Sequence, residues 1–160
     1  MQDRHFSFKF PDRRIARPPD RIERDAGPRL TAMAFDLKPS VSAIEALGEA
    51  VALVGKAGVD RHAYVDFLAS TIFPAPVYKT YGDLIAGDQF EPARFAAPLG
   101  FKDIRFTLAA AESLRVPMPL GSLLHDRFLR LLAQGGEHLD WAAIGGLAAQ
   151  DAGALQARKS

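Results

Sequence analysis

The chain has 160 residues, of which 48% are apolar and 24% charged, a balance typical of one globular domain with a sizeable core. It contains no cysteine, which excludes disulfides, thiolate metal sites and a cysteine nucleophile. Residues 1–40 carry nine Lys/Arg and six Asp/Glu, whereas residues 41–160 carry eleven Lys/Arg and thirteen Asp/Glu. The body of the chain is therefore mildly acidic. This argues against nucleic-acid binding, which needs a basic face.

The first 38 residues are predicted to form an Arg/Pro-rich arm that is mostly disordered, ahead of a helical domain over residues 39–155. Prolines at this density remove backbone donors and block helix propagation. Phe6, Phe8 and Phe10 alternate with polar residues in a weak strand-like pattern. Acidic neighbours dilute the arginines of the arm, which favours a solvated segment over one that binds nucleic acid or lipid.

No apolar run in the chain approaches the roughly 20 residues that a membrane helix needs. The N-terminus carries charges but lacks the apolar h-region of a secretory signal. We therefore expect a cytoplasmic protein with no membrane partner.

Helical periodicity begins near Ser40 and predicts two antiparallel helices in succession. One face of the first carries Ile44, Leu47, Val51 and Val54. Gly48 shares this face and indicates a close contact with another helix. Gly58 is predicted to cap the end of this helix, and Asp60 the start of the next.

The second helix and the third are separated by prolines. The second is predicted to bury Tyr64, Phe67, Leu68 and Thr71. Pro74 and Pro76 end it and start the third, which stops near Gly87. The apolar side of the third carries Tyr78, Tyr81, Leu84 and Ile85. We interpret its two tyrosines as core aromatics rather than catalytic acids.

Residues 88–100 are predicted to form a loop, because Pro92, Pro98 and Gly100 punctuate them. Three further helices follow, the last of them capped by Asp140. Their predicted inward positions are Phe101, Ile104, Leu108 and Ala111, then Leu120, Leu124, Phe128, Leu131 and Leu132, then Trp141, Ile144 and Leu147. No strand and no βαβ alternation is recognisable, so we predict an all-α bundle of about six helices without a parallel sheet for a dinucleotide.

Four segments, in order and spacing, resemble the C-terminal domain of the 3-hydroxyisobutyrate dehydrogenase family. They are IEALGEA with GKAGVD, APVYKTYGDLI, PLGFKDIRFTLAAAE, and VPMPLGSLLHDRF with LDWAAI. The resemblance spans residues 41–152 and implies the fold of the 6-phosphogluconate dehydrogenase C-terminal-like domains. It also implies NAD or NADP as cofactor, because these β-hydroxyacid dehydrogenases oxidise or reduce small hydroxy acids.

The resemblance implies that Lys102 approaches the cofactor, and that Asp103 contacts substrate, orients the lysine or caps the fourth helix. The alternative is a lysine that is merely exposed beside a helix N-terminus. The family's catalytic lysine, and the asparagine four residues later, fall at Met33 and Leu37, which cannot donate a proton. Pro39 should break the helix that presents them. We therefore predict no catalytic residue in this chain.

Two other groups of residues are candidates for chemistry. Glu45 and Glu49 lie one helical turn apart, and paired carboxylates can carry out acid/base work or bind a metal. No third ligand lies near them in sequence, which favours a solvated or packed face. The histidines are dispersed and predict no metal site: His5, His62, His125 and His138.

The sequence has no GxGxxG loop after a strand. We expect the C-terminal domain of an NAD(P)-dependent 3-hydroxyisobutyrate dehydrogenase-like oxidoreductase that binds no cofactor and catalyses nothing alone. A homodimer is expected, because a face that normally packs on a Rossmann domain would otherwise be exposed. The alternatives are half of a two-chain hydroxyacid dehydrogenase completed by a Rossmann-domain chain, a dimerisation or interaction module, and a truncated gene product. The original substrate and the choice between NAD and NADP stay open.

Overall fold

A computed structural model describes the backbone of residues 28–154 and the side chains of residues 39–154. Over this range the chain forms six α-helices and one short 3₁₀ helix, Gly136–His138, with no β-strand, which confirms the all-α prediction. The α-helices are α1 (Pro28–Lys56), α2 (Arg61–Ser70), α3 (Pro76–Ala86), α4 (Ala97–Ser113), α5 (Pro119–Ala133) and α6 (Ala143–Asp151). Within the described range, no helix has the length and apolar character needed to cross a bilayer.

Helix α1 begins at Pro28, inside the segment that the sequence assigned to the arm, and Pro39 lies within it. The prediction that Pro39 breaks this helix was wrong. A proline removes one backbone hydrogen bond of the helix, and Pro39 itself is exposed. The next turns are anchored in the core by Val41 and Ile44, and the helix continues. The rest of the predicted arm, residues 1–27, lies outside the described part of the chain.

Helix α1 is the central element, because it packs against each of the other five helices. Its predicted apolar face is confirmed, since Ile44, Leu47 and Val51 are buried. Helix α6 is covered almost entirely, with six of its nine residues buried. The large side chains of the core are Val41, Ile44, Leu47, Val51, Val65, Ile85, Ile104, Leu124, Phe128, Leu131, Trp141, Ile144 and Leu147.

The predicted caps between α1 and α2 are confirmed. Gly58 follows the end of α1 with a positive φ of 82°, and its amide donates to the Gly55 carbonyl. The carboxylate of Asp60 accepts a hydrogen bond from the amide of Ala63 at 2.7 Å and so caps α2. The chain therefore reverses within a few residues, as the sequence indicated.

Some predicted inward positions are wrong. Phe67 of α2 and Leu120 of α5 are 56% and 42% exposed, and Thr71 lies beyond the end of α2. Val65 is the buried residue of α2 instead, because it packs onto α3 where Gly82 has no side chain. A Cβ at Gly82 would lie only 2.6 Å from Cγ1 of Val65. This contact between neighbouring helices sets the rotation of α2 and turns Phe67 outward.

The close helix contact predicted for Gly48 is confirmed and lies between α1 and α6. A Cβ placed on Gly48 would be 2.2 Å from the carbonyl oxygen of Gly145 and 2.5 Å from its Cα. The obstacle is backbone, which cannot rotate away as a side chain can. The two helices therefore touch main chain to main chain at this point.

Gly48→Ala is expected to lower the free energy of unfolding by about 3 kcal/mol or more, because the added methyl must push α1 and α6 apart. Chemical denaturation measures this loss. Gly55→Ala is the matched control in the same helix, since its Cβ would meet only the flexible Arg61 side chain at 3.1 Å. Alanine favours a helix over glycine by about 1 kcal/mol, so this control should be neutral or slightly stabilising. Equal losses in both variants would contradict the backbone contact.

Candidate functional site

Lys102 lies in the second turn of α4 and is 55% exposed. Its Nζ is 3.5 Å from Oδ1 of Asp103, whose side chain is only 16% exposed. Asp103 is inside the helix, and the N-cap residue of α4 is Ala96, so the predicted capping role of Asp103 is wrong. The ion pair places Asp103 where it can orient the lysine.

Two exposed apolar side chains flank Lys102 on α4. Leu99 precedes it by three residues and Phe106 follows it by four, so all three share one side of the helix. Leu99 and Phe106 are 44% and 41% exposed, and the lysine Nζ lies 6.0 Å from the centre of the Phe106 ring. We call Leu99, Lys102 and Phe106 the Lys102 face. A cation between apolar neighbours can bind an anionic or carbonyl oxygen while the flanking side chains cover an apolar group.

The two tyrosines of α3 are partly buried and pack against the core, as predicted. The Tyr81 ring packs edge-on against Trp141 at 5.7 Å between centroids, and Tyr78 stacks on Phe73 at 4.7 Å. Burial raises the pKa of Tyr81, so its hydroxyl stays protonated at neutral pH. These side chains hold α3 in place.

The two candidate carboxylates separate in the structure. Glu49 is exposed, whereas Glu45 is only 5% exposed and packs between α1, α5 and α6. The Arg127 Nε lies 2.6 Å from Oε1 of Glu45, and Arg127 also reaches the Asp151 carboxylate at 3.0 Å. Arg130 forms a further ion pair with Asp151. We call Glu45, Arg127, Arg130 and Asp151 the Glu45 cluster.

Sequence reasoning missed Arg127, although α5 carried a signal for it. Arg127 directly precedes the buried Phe128 and lies three residues after the buried Leu124, so it borders the inward face of its helix. An arginine at such a position requires an anionic partner. The sequence does not show which of its distant carboxylates that partner is.

Asp140 is 1% exposed and joins two segments rather than capping α6 as predicted. Its Oδ2 accepts hydrogen bonds from the amides of Arg94 and Phe95 at 2.9 and 3.0 Å. Its Oδ1 accepts one from the amide of Ala142, which is itself the N-cap residue of α6. Asp140 therefore ties the loop that leads into α4 to the start of α6, and so helps position the Lys102 face.

The described histidines lie apart from one another. His138 is 3.4 Å from the Glu91 carboxylate and His125 is 3.0 Å from that of Asp126, while His62 is exposed. Within the described range, no group of three or more His, Cys, Asp and Glu side chains is placed to hold a metal ion. His5 lies outside the described residues.

Met33 and Leu37, which occupy the positions of the family's lysine and asparagine, are both on the N-terminal part of α1. They lie four residues apart and hence about one turn apart. Their helical backbone continues the helix that carries Glu45, so the long helix which the resemblance implies is present here. The side chains at these two positions are outside the described part of the structure.

Residues 40–147 match the family model described as NAD-binding of NADP-dependent 3-hydroxyisobutyrate dehydrogenase. The chain is 38% identical over 104 residues to the uncharacterized oxidoreductase YfjR of Bacillus subtilis (strain 168), covering 65% of this chain and 36% of that protein. It is 28% identical over 101 residues to the 2-hydroxy-3-oxopropionate reductase of Escherichia coli (strain K12), covering 63% of this chain and 34% of that protein.

The crystal structure of 3-hydroxyisobutyrate dehydrogenase (ygbJ) from Salmonella typhimurium matches with a TM-score of 0.67 and 21% identity. The match covers 73% of this chain and 41% of that one, and at this identity it supports the fold. The chain thus spans about a third of the length of the curated relatives it matches.

Asp140→Ala is expected to lower the free energy of unfolding by about 3 kcal/mol, because three backbone amides, one in a buried and two in part-buried hydrogen bonds, lose their acceptor. Asp140→Asn keeps one oxygen and should lose less. Asp126→Ala, which removes a carboxylate that is 80% exposed, is the control and should change stability by less than about 0.5 kcal/mol. Urea denaturation measures the stability of all three variants. An Asp140→Ala variant as stable as the wild type would contradict the structural role of Asp140.

Proposed function

This chain belongs to the family of NADP-dependent 3-hydroxyisobutyrate dehydrogenase, and we propose that its helical domain forms one wall of the cofactor and substrate cleft of an NAD(P)-dependent hydroxyacid oxidoreductase. The observation that carries the proposal is the Lys102 face, which lies within the matched residues 40–147. There a cation stands exposed between Leu99 and Phe106 instead of pairing inside the core.

In this proposal Lys102 donates to an oxygen of the cofactor or of the substrate carboxylate, and Asp103 orients it. A lysine suits both ligands, because its ammonium group is a compact donor with three hydrogens. NAD(P), when bound, supplies the hydride acceptor or donor. Leu99 and Phe106 would cover the flat face of the nicotinamide ring, while Lys102 would meet its polar substituent.

The substrate class follows from the relatives, which are named for 3-hydroxyisobutyrate and 2-hydroxy-3-oxopropionate. Both molecules are small carboxylates with an oxygen-bearing carbon that can gain or lose a hydride. We propose a substrate of this kind, with its carboxylate near Lys102. A cytoplasmic location belongs to the proposal, since a chain without cysteine suits a reducing compartment.

The same proposal holds that residues 28–154 do not catalyse alone. Dinucleotides bind at the carboxyl ends of parallel strands, next to a helix that receives the pyrophosphate. The described residues contain no strand. Hydride transfer therefore requires a Rossmann domain in addition to this helical domain, in the same polypeptide or in a partner chain.

Complementation tests this assignment. The purified chain is mixed with the part of the Bacillus subtilis relative that lies outside the matched residues. Under the proposal, that part supplies both the dinucleotide site and the catalytic lysine that Met33 replaces here. NAD(P)H formation is followed by absorbance with 3-hydroxyisobutyrate as substrate. We expect turnover in the mixture and in neither component alone. Lys102→Ala should lower kcat/KM about 10- to 100-fold, the loss of one charge-assisted hydrogen bond, and Lys102→Arg should restore part of it.

The matched control is Lys79→Ala, which removes the same charge from α3, where Lys79 pairs with Asp66 and Asp83 at the surface. Such exposed pairs contribute little, so kcat/KM should be unchanged. An unchanged kcat/KM in Lys102→Ala would contradict the assigned role. Tight, stoichiometric uptake of NADPH by the chain alone, measured by calorimetry, would contradict the need for a second domain.

Exposed apolar side chains favour a homodimer as a further part of the proposal. They are Leu53, Phe67, Ile72, Leu114, Leu123 and Leu129, each between 46% and 73% exposed. They lie on α1, α2 and α5 and in the turns after α2 and α4. Large exposed apolar side chains that join into a patch are usually covered by another polypeptide. An interaction module and a separate Rossmann chain are the competing partners for these side chains.

Light scattering coupled to size-exclusion chromatography is expected to give twice the chain mass of 17.4 kDa at micromolar concentration. Because apolar association depends on concentration, dilution should shift the peak toward the monomer. A monomer at every concentration would refute the homodimer and would favour a different protein as partner.

A further inference from the structure

Helix α6 has nine residues, most of them alanine or glycine, and so cannot persist by its own propensity. Its start is held by Asp140, as described above. Its end is held by charge: Asp151, the last residue of α6, pairs with Arg127 and Arg130 of α5. Lys56 at the end of α1 also donates to the carbonyl of Ala152 at 2.6 Å. The attachment of this end of α6 therefore depends on the charges of the Glu45 cluster.

Glu45 is the member of that cluster whose charge is least well compensated. Its Oε1 forms an ion pair with the Arg127 Nε, but neither that nitrogen nor the buried Oε2 has a hydrogen-bond partner among the described residues. Arg127 also pairs with Asp151, so its single positive charge is divided between two carboxylates. An ionised carboxylate held this way loses more hydration than one shared guanidinium returns. A protonated carboxyl avoids most of that cost.

We propose that Glu45 is a pH-sensitive latch for the end of α6: while Glu45 is protonated this end stays packed on α1 and α5, and ionisation of Glu45 makes it open more often. Opening lets water reach the carboxylate. The open state is therefore favoured by the charged form, and the closed state by the neutral form.

The proposed direction, with ionisation of Glu45 favouring the open state, agrees with the electrostatics of the site. Burial raises the pKa of Glu45 from 4.5 to about 7, and the attraction of Arg127 opposes this shift. Since the closed state has the higher pKa, it binds the proton more tightly than the open state. Between these two pKa values, raising the pH must therefore shift the equilibrium toward opening.

Charged groups on three helices face Glu45. From α5, Arg127 and Arg130 contribute positive charge, which arginine side chains carry throughout the pH range of proteins. From α6, Asp151 stays ionised because the Arg130 hydrogen bond lowers its pKa. Glu49, one turn away on α1, adds repulsion that disfavours the charged form of Glu45. Within the cluster, Glu45 is therefore the group that changes protonation between about pH 5 and pH 8.

Amide hydrogen exchange of the full chain tests the latch. After correction for the intrinsic pH dependence of exchange, the opening equilibrium at residues 148–151 should rise roughly 50- to 100-fold between about pH 5 and pH 8. Trp141, the single tryptophan, is buried at the other end of α6. Its fluorescence should stay constant, which separates local opening from global unfolding.

Glu45→Gln removes the titrating group and should abolish the rise, whereas Glu49→Gln, one turn away and exposed, should keep most of it. An equal rise in wild type and Glu45→Gln, or no rise in wild type, overturns the proposal. Carbon-13 NMR titration of the Glu45 carboxyl in the wild type is independent of whether any variant folds. A midpoint near 7 supports the latch, and a midpoint near 4.5 overturns it.

Discussion

The contact between the backbones of Gly48 and Gly145 is the constraint on which the rest of the structure depends. Neither position has room for a side chain, since a Cβ on Gly145 would lie 2.9 Å from the Ile44 carbonyl oxygen. Helix α6 can therefore lie directly on α1 and be enclosed by its neighbours. A buried helix of small residues forms little structure by itself, so its two ends need attachments.

The two ends of α6 are attached in different ways. Asp140 accepts three backbone hydrogen bonds and is fully satisfied, as buried polar groups normally are. Glu45 has one shared guanidinium and one unpartnered oxygen. One end of α6 is therefore fixed by a satisfied buried carboxylate, and the other is attached through Asp151 to the arginine that also pairs with Glu45. This asymmetry is why α6 is expected to open from its C-terminal end.

The Lys102 face lies on the solvent-exposed side of α4, away from the core. The core side of α4 is closed by Ile104 and Ala111, whereas the Lys102 face directs a cation and two apolar groups outward. These side chains can interact with an anionic group but cannot supply a hydride. Under the proposed function, the domain therefore contributes recognition of a small anionic substrate and of the cofactor, and a dinucleotide-binding domain contributes the chemistry.

The amino-acid sequence by itself determined the helical class, the caps at Gly58 and Asp60, the glycine contact of α1 and the position of Lys102 in a family motif, because these depend on local periodicity and spacing. Only the tertiary structure decided that Pro39 stays inside α1 and that Val65 rather than Phe67 is buried. It also decided which distant groups meet Glu45 and Asp140. Partners such as Arg127 and Asp151 are brought together by the packing of three helices, and a pattern within one helix does not identify which residues of another helix it will meet.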